Sequence, residues 1–147
     1  MTAESIDVLY GEATGLPDAQ HSIVSPFSFG ETIERLKRAI AGEDLWVIHE
    51  IDPQMMLKKA GYAIGPARQI LFFHPRFMAQ LLAGNPAAVM EAPLRFVVLE
   101  MPDGMVTVRY PEPRIHFGRY ARLTALATEL SELYGRLARS IAGAAAA

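Results

Sequence analysis

Residues 45–78 read LWVIHEIDPQMMLKKAGYAIGPARQILFFHPRFM, and the predicted fold builds outward from them. Two runs rich in β-branched and aromatic residues, 45–51 and 69–74, lie on either side of a polar segment that opens with an Asp-Pro pair. Runs of that kind favour β-strands, and a proline after a capping aspartate favours the first turn of a helix. We therefore expect a strand at 45–51, a short helix at 54–60 and a strand at 69–74.

Two of the four histidines lie in this stretch. Strand alternation places His49 on the same face as Leu45, Val47 and Ile51, and His74 lies where the second strand passes into a helix. A buried imidazole needs a partner, because an unpaired buried polar group is destabilising. Each histidine is therefore either a hydrogen-bonded core residue or a ligand.

The segment before this stretch carries a helix signal. Ser28, followed three residues later by Glu31, forms the pattern of a capping box, and apolar residues at helical spacing continue from it. We predict a helix at 29–42. Residues 21–27 contain few apolar side chains and a proline that cannot donate to a ladder, which favours an edge strand.

After His74 the pattern changes to helical spacing, and a second short helix is expected at 87–91. Residues 94–101 and 105–110 predict two strands, joined by a turn that contains the Asp-Gly pair typical of hairpins. We interpret residues 114–120 as a connector.

The C-terminal region contains five leucines at 3-4 spacing, which is typical of the buried face of a helix. They are Leu123, Leu126, Leu130, Leu133 and Leu137. A single long helix across the sheet is predicted. Because a hairpin excludes a wholly parallel sheet, the predicted fold class is α+β, a two-layer domain with a mainly antiparallel sheet and helices packed on one face.

The composition bounds the domain organisation and the chemistry. A chain of 147 residues is sufficient for one domain, which we assign to residues 22–141, with an N-terminal arm at 1–21 and a frayed tail at 142–147. The chain has no cysteine, which excludes disulfides, zinc-thiolate clusters and thiol nucleophiles.

The charge pattern argues against two kinds of partner. A formal net charge of -2 provides no global field to attract a phosphate backbone, so we expect no nucleic-acid partner. The first 22 residues contain acidic residues but no Lys or Arg, the reverse of a signal peptide, and no apolar run approaches the ~20 residues that cross a bilayer. We expect a cytoplasmic protein with no membrane partner.

Several segments carry a family resemblance. They read SFGETIERLKRAI, LWVIHEIDPQMMLKKAG, ILFFHP, LAGNPAAVMEAPLRFVVLEMPDG and VRYPEP, within residues 22–115. The chain resembles the bacterial domain-of-unknown-function 302 family. The resemblance implies a two-layer α+β domain similar to the TATA-binding-protein fold, often a homodimer, with no agreed activity. His49 and His74 stand where relatives more often have small residues or asparagine, so both imidazoles depart from the commoner pattern.

Haem is the most concrete ligand that these residues suggest, because it needs an imidazole at the lip of an apolar slot and cations near its propionates. The expected cofactor-binding residues are His74, His49, Phe72, Phe77, Met78 and Arg76, with Arg68 and Arg114 as further cations. Since the chain has no Cys-x-x-Cys-His motif, the haem would be non-covalent.

A soft metal such as copper is the alternative ligand, because copper accepts imidazole and thioether groups. The candidate metal ligands are His74, His49 and Met55. Methionine is also a common filler of irregular cores, so the same residues allow a purely structural interpretation.

A second class of function also fits, a homodimeric interaction or regulatory module without a cofactor. In such a module, the long C-terminal helix and the apolar sheet would only hold two copies of the chain together. An enzyme is less favoured, because no serine lies in a nucleophile elbow and Ser28 is already explained as a helix cap.

Overall fold

The computed structural model describes residues 4–11 and 19–142. The strands are β1 (Ile6–Asp7), β2 (Gln20–Ser25), β3 (Trp46–Ile51), β4 (Tyr62–Ala63), β5 (Ala67–Phe73), β6 (Leu94–Glu100) and β7 (Val106–Pro111). The helices are α1 (Phe29–Gly42), α2 (Pro53–Lys59), α3 (Pro75–Gly84), α4 (Pro113–His116) and α5 (Thr124–Ala138), with 3₁₀ helices at Pro86–Glu91 and Arg139–Ile141.

Five strands form one sheet in the order β2-β7-β6-β5-β3, and every neighbouring pair is antiparallel. The predicted hairpin is β6–β7 near the centre of this sheet, and its turn contains Gly104 at a φ of 88°, which glycine adopts without a Cβ clash. The carboxylate of Asp103 accepts a hydrogen bond from the Met105 amide at 2.9 Å. The edges of the sheet are β2 and β3.

Helices α1 and α5 cover one face of the sheet. From β6, Leu94, Phe96 and Val98 alternate into this layer, each no more than 1% exposed. The predicted leucine face of the C-terminal helix is buried there, although Leu123 precedes the first residue of α5. Burying such a side chain stabilises the fold by about 1.5–3 kcal/mol. The predicted two-layer α+β fold is confirmed.

Two predicted helix starts are confirmed. Helix α1 covers the predicted residues, and the Ser28 hydroxyl accepts from the Glu31 amide at 3.2 Å. The Glu31 carboxylate binds Arg35 instead of returning to the cap, so only half of the predicted capping box forms. Asp52 caps α2 by accepting from the Met55 amide at 3.0 Å.

The face predicted for the strand at 45–51 is wrong, because β3 contains a bulge between Val47 and His49. Val47 lies opposite Phe72 and His49 opposite Leu71, which are consecutive residues of β5 and face opposite sides of the sheet. The extra residue of the bulge therefore separates two side chains that simple alternation places together.

Two shorter predictions also need correction. The segment expected as a short helix at 87–91 is a 3₁₀ helix, and the connector at 114–120 contains most of the four-residue helix α4. Both helices begin with a proline at the first helical position, and both are too short to show a helical periodicity in the sequence.

Part of the predicted arm and tail lies outside the described residues, namely 1–3, 12–18 and 143–147. Within the arm, β1 pairs in parallel with β4, and the Ile6 amide donates to the carbonyl oxygen of Gly61 at 2.8 Å. Within residues 4–11 and 19–142, no helix combines the length and the apolar character needed to cross a membrane.

Candidate functional site

His74 caps helix α3. Its Nδ1 accepts a hydrogen bond from the Arg76 amide at 3.0 Å, and its ring meets the Trp46 ring edge-on with centroids 5.3 Å apart. A neutral imidazole has one lone pair in the ring plane, and the cap occupies it, so Nε2 carries the proton. While the cap is intact, His74 offers a hydrogen-bond donor at Nε2 and no lone pair for a metal ion.

An open apolar groove of about 420 Å³ lies beside this ring. The His74 groove, as we call it, is lined by Trp46, Ile48, Phe73, His74, Pro75, Met78, Ala79 and Leu82. Of the other predicted haem contacts, Met78 lies in this groove. Phe72 does not line the groove, since it is fully buried in the core, and Phe77 is also buried, stacked on Phe73 with centroids 5.9 Å apart.

Two of the cations expected near haem propionates are held elsewhere. The Arg76 guanidinium donates to the carbonyl oxygens of Asp44 at 2.8 Å and Glu43 at 3.1 Å and lies over the Phe77 ring. Arg114 donates to a serine hydroxyl on α5 at 2.7 Å. Neither side chain lines the His74 groove.

The third cation, Arg68, belongs to an ionic cluster on the helix-covered side of the sheet. It donates to Glu50 at 3.0 Å and lies 3.7 Å from Asp52, while Lys37 contacts the other Glu50 oxygen at 2.6 Å. The hydrogen bond from Lys37, more than any other contact, lowers the pKa of Glu50, and Arg68 adds to this effect against desolvation. These charges neutralise one another, so the cluster stabilises the fold.

His49 and His74 do not meet. His49 is exposed and lies opposite Leu71, three residues before His74, so the strand rise separates the two by about 10 Å along the sheet. Met55 is 51% exposed on α2. Residues 4–11 and 19–142 contain no group of three or more His, Cys, Asp or Glu side chains that could hold a metal ion. Copper binding stays a prediction without a ligand cluster to support it.

A different site opens where β6 and β7 separate. Their pairing ends at Val97–Arg109, although β7 continues to Pro111. The Glu112 amide donates to the carbonyl oxygen of Ala19 on the β2 side, so the backbone of Pro111 faces β6. Because proline has no N–H, no amide is available there to continue the ladder.

The hydroxyl of Tyr134 on α5 takes the place of that missing partner. It accepts from the Arg95 amide at 2.9 Å and donates to the Arg95 carbonyl oxygen at 3.0 Å. Burial raises the pKa of Tyr134 far above its ordinary value, so the hydroxyl stays protonated and able to donate. The ring stacks on Tyr110 with centroids 4.9 Å apart. The two strands are therefore held apart by an ordered side chain.

The resulting opening is a cleft of about 270 Å³. The arginine cleft, as we name it, is lined by Gln20, Met90, Glu91, Leu94, Arg95, Val97, Arg109, Tyr110, Pro111, Pro113, His116 and Phe117. Its apolar walls come from the core, and its polar groups come from the uncovered face of the sheet and from two short helical turns.

Glu91 is the acidic group of this wall, and it is closely bound. Its carboxylate accepts from Arg119 and from the Tyr120 hydroxyl, each at 3.1 Å, and lies 3.6 Å from Nδ1 of His116. Desolvation, and then the hydrogen bond to Glu91, raise the pKa of Tyr120. The other ring nitrogen of His116 lies 3.2 Å from the carbonyl oxygen of Ala19, which can only accept. The cluster fixes α4 and the 3₁₀ turn around the cleft.

Arg95 and Arg109 are the cations of the cleft. Among residues 4–11 and 19–142, no carboxylate lies within 4.0 Å of either guanidinium. Within this part of the chain, Arg109 donates only to the side-chain oxygen of Gln20, at 3.3 Å. Most other arginines of the described chain have an acidic partner, so this pair stands out as charge available to a ligand.

The chain matches the family model described as "Domain of unknown function DUF302" over residues 21–144. The protein belongs to the DUF302 family. The family resemblance predicted from the sequence is thereby confirmed.

A solved member of the DUF302 family has the same fold. An uncharacterized conserved DUF302 protein from Bacillus stearothermophilus superposes with a TM-score of 0.74 at 21% identity, over 85% of this chain and 97% of that chain. At that identity the likeness shows the fold alone. No curated protein matches the chain.

Sequence reasoning missed the arginine cleft of this DUF302 chain. Arg95 and Arg109 alternate with buried residues in two predicted strands, and Pro111 marks the end of the second. Pairing the strands through the Asp-Gly turn would have placed both arginines on one face. His116 and Glu91 carry no comparable signal, because they meet only through tertiary packing.

Proposed function

We propose that this DUF302 chain is a small-ligand-binding domain and that the arginine cleft is its site. The observation that carries the proposal is the separation of β6 and β7, which leaves a bounded space where two arginines have no carboxylate partner among the described residues and lie beside apolar walls. Sites for small molecules are concave and mostly apolar, with a few placed polar groups. The arginine cleft has this composition.

The size of the cleft indicates a small ligand. Its 270 Å³ lies just below the usual range of about 300–1,000 Å³ for ligand pockets and holds roughly nine waters. The walls are fixed by hydrogen bonds from Tyr134 and by the ion pairs of Glu91. A site that is already ordered loses little entropy when a ligand binds.

The proposal is tested by ligand screening with nitrogen-15-labelled protein. A library of small molecules is added, and amide shifts are mapped on the sheet. We expect hits to move the signals of Arg95, Val97 and Arg109 together. The variant Val97→Phe fills the cleft and should abolish these shifts. Hits that bind equally well to Val97→Phe, or that map elsewhere, would overturn the assignment.

The matched control is Val24→Phe. Val24 lies on the same face of the sheet as Val97 but on the edge strand β2, opposite Thr107. The same addition of volume there should leave ligand binding unchanged. A loss of binding in both variants would point to a general disturbance of the sheet.

Haem held through His74 stays a prediction. The His74 groove supports it, since it places Met78 and an imidazole beside an apolar slot. The cap weighs against it, because the lone pair that iron needs is already bonded to the Arg76 amide. Ligation would cost the N-cap of α3, so the residues of this groove fit a ligated haem poorly.

A homodimer is the second candidate function, and one observation favours it. Trp46 and Ile48 are 55% and 53% exposed on the edge strand β3, beside the His74 groove. An uncovered apolar edge strand is a template for pairing with another strand. Around a two-fold axis the same edge of a second copy is self-complementary, because antiparallel edges can pair with themselves.

A further inference from the structure

We infer that the ligand of the arginine cleft is a small carboxylate with an apolar body; this inference rests on the proposed function. It specifies both the charge of the ligand and the shape of its uncharged part.

The cations define an acceptor position. Val97 lies opposite Arg109, and Arg95 lies two residues before Val97 on β6, so both arginines are on the uncovered face of neighbouring strands. Long guanidinium side chains in these positions can reach a common point, and both line the same cleft. A guanidinium presents two parallel N–H donors, which match the two oxygens of a carboxylate. An anion placed between the two guanidinium groups accepts hydrogen bonds from both.

The acidic wall limits the position of that anion. Glu91 lines the same cleft, and its carboxylate is compensated by Arg119 and the Tyr120 hydroxyl. Because Arg119 already neutralises Glu91, the charges of Arg95 and Arg109 are left for the ligand. We expect the anionic group on the arginine side of the cleft, away from the Glu91 carboxylate.

The walls define the rest of the ligand. Met90 is 83% exposed, and with the half-buried Val97 and Tyr110 it forms an apolar surface beside the cations. A purely polar anion would leave it wet, whereas a short aliphatic or aromatic body covers it and gains the hydrophobic contribution. The ligand is thus amphipathic, with its carboxylate toward Arg95 and Arg109.

Three probes of similar size test the inference by nuclear magnetic resonance titration of the full chain. They are 3-phenylpropanoate, its neutral amide 3-phenylpropanamide, and phenyl phosphate. We expect 3-phenylpropanoate to bind in the cleft about tenfold more tightly than the amide, since a charge-assisted pair is roughly twice as strong as a neutral one. We expect phenyl phosphate to bind no more tightly than the carboxylate, whose planar pair of oxygens matches the two parallel N–H donors of a guanidinium.

The variants Arg95→Gln and Arg109→Gln should each reduce the preference for acid over amide to about threefold or less. The control is Arg139→Gln, which removes an exposed arginine outside the cleft and should preserve the preference. Equal binding of acid and amide, or tighter binding of phenyl phosphate, would overturn the inference.

The two proposals fail in different ways. If the amide binds in the cleft as well as the acid does, the ligand class is wrong and the ligand site stands. If none of the three probes shifts the signals of the cleft, the ligand class is again wrong. The ligand site itself then falls only if the library also yields no hit that Val97→Phe abolishes.

Discussion

The hydroxyl of Tyr134 bonds to both backbone groups of Arg95, accepting from its amide at 2.9 Å and donating to its carbonyl oxygen at 3.0 Å. The Tyr134 side chain therefore satisfies the two backbone groups of Arg95 that point toward β7, beyond the last residue pair that joins β6 and β7. This contact links the helical layer to the mouth of the arginine cleft, so packing in the core sets the geometry of the candidate site.

Tyr134→Phe should destabilise the protein by about 2–4 kcal/mol. The substitution keeps the ring but leaves two backbone groups without a partner, each costing about 1–3 kcal/mol when buried. Urea unfolding followed by circular dichroism measures the effect. Tyr62→Phe is the control, since Tyr62 is 40% exposed and its hydroxyl makes no hydrogen bond to the described residues. A loss of unfolding free energy below about 0.5 kcal/mol, which is typical of a surface substitution, would contradict the bridging role.

The stabilisation that the ionised Glu50 carboxylate gives to the fold should be lost in acid. Its pKa is lowered in the folded state, so its contribution is complete above its ordinary pKa near 4.5 and is lost as the pH falls through the lower folded value. Glu50→Gln should cost on the order of 1 kcal/mol at pH 7, because the cluster is partly exposed. The variant should also show a smaller loss between neutral pH and pH 3.

Unfolding free energies at several pH values measure this dependence. Glu129→Gln is the control, since Glu129 is exposed on α5 and has no cation within 4.0 Å among the described residues. If Glu50→Gln and wild type lose stability in parallel on acidification, another carboxylate is responsible.

His74→Ala should destabilise the protein by about 1 kcal/mol, because it removes the N-cap of α3. His74→Asn should recover most of this loss, since asparagine is a good N-cap residue. Added haemin should give the same absorbance spectrum with wild type and with His74→Asn. A Soret band of ligated haem that is present in wild type and lost in the stable Asn variant would establish His74 as an iron ligand.

Ile48→Glu should convert a dimer into a monomer if the β3 edge pairs two copies. Sedimentation equilibrium of wild type at rising concentration should show a dimer, and the variant should stay monomeric. Val24→Glu is matched to it, because Val24 is 54% exposed on the other edge strand, compared with 53% for Ile48. A monomeric wild type at all concentrations would remove this candidate function.

Much of the fold was predictable because its signals are local. Helix α1 has the predicted bounds, and the hairpin follows from the Asp-Gly turn. The buried leucines of α5 follow from spacing alone. Each of these features depends on a short segment and one periodicity, so no knowledge of neighbouring strands is needed.

The site was less predictable because it depends on register and on tertiary contacts. The bulge in β3 moved His49 to an exposed position, and no residue pattern announces where an extra residue enters a strand. The role of His74 depends on a hydrogen bond to the Arg76 amide, which consumes the lone pair that the haem prediction needed. Tyr134 reaches Arg95 from 39 residues away.

The open end of the hairpin depends on the N–H that Pro111 lacks. Any other residue at position 111 presents an N–H toward the Arg95 carbonyl oxygen, so the two strands can form one more backbone hydrogen bond and displace the Tyr134 hydroxyl. Pro111 therefore limits the length of the β6–β7 pairing. A sheet of the same outline can thus be opened or sealed at this end by exchanging one residue, without rebuilding the layer of helices behind it.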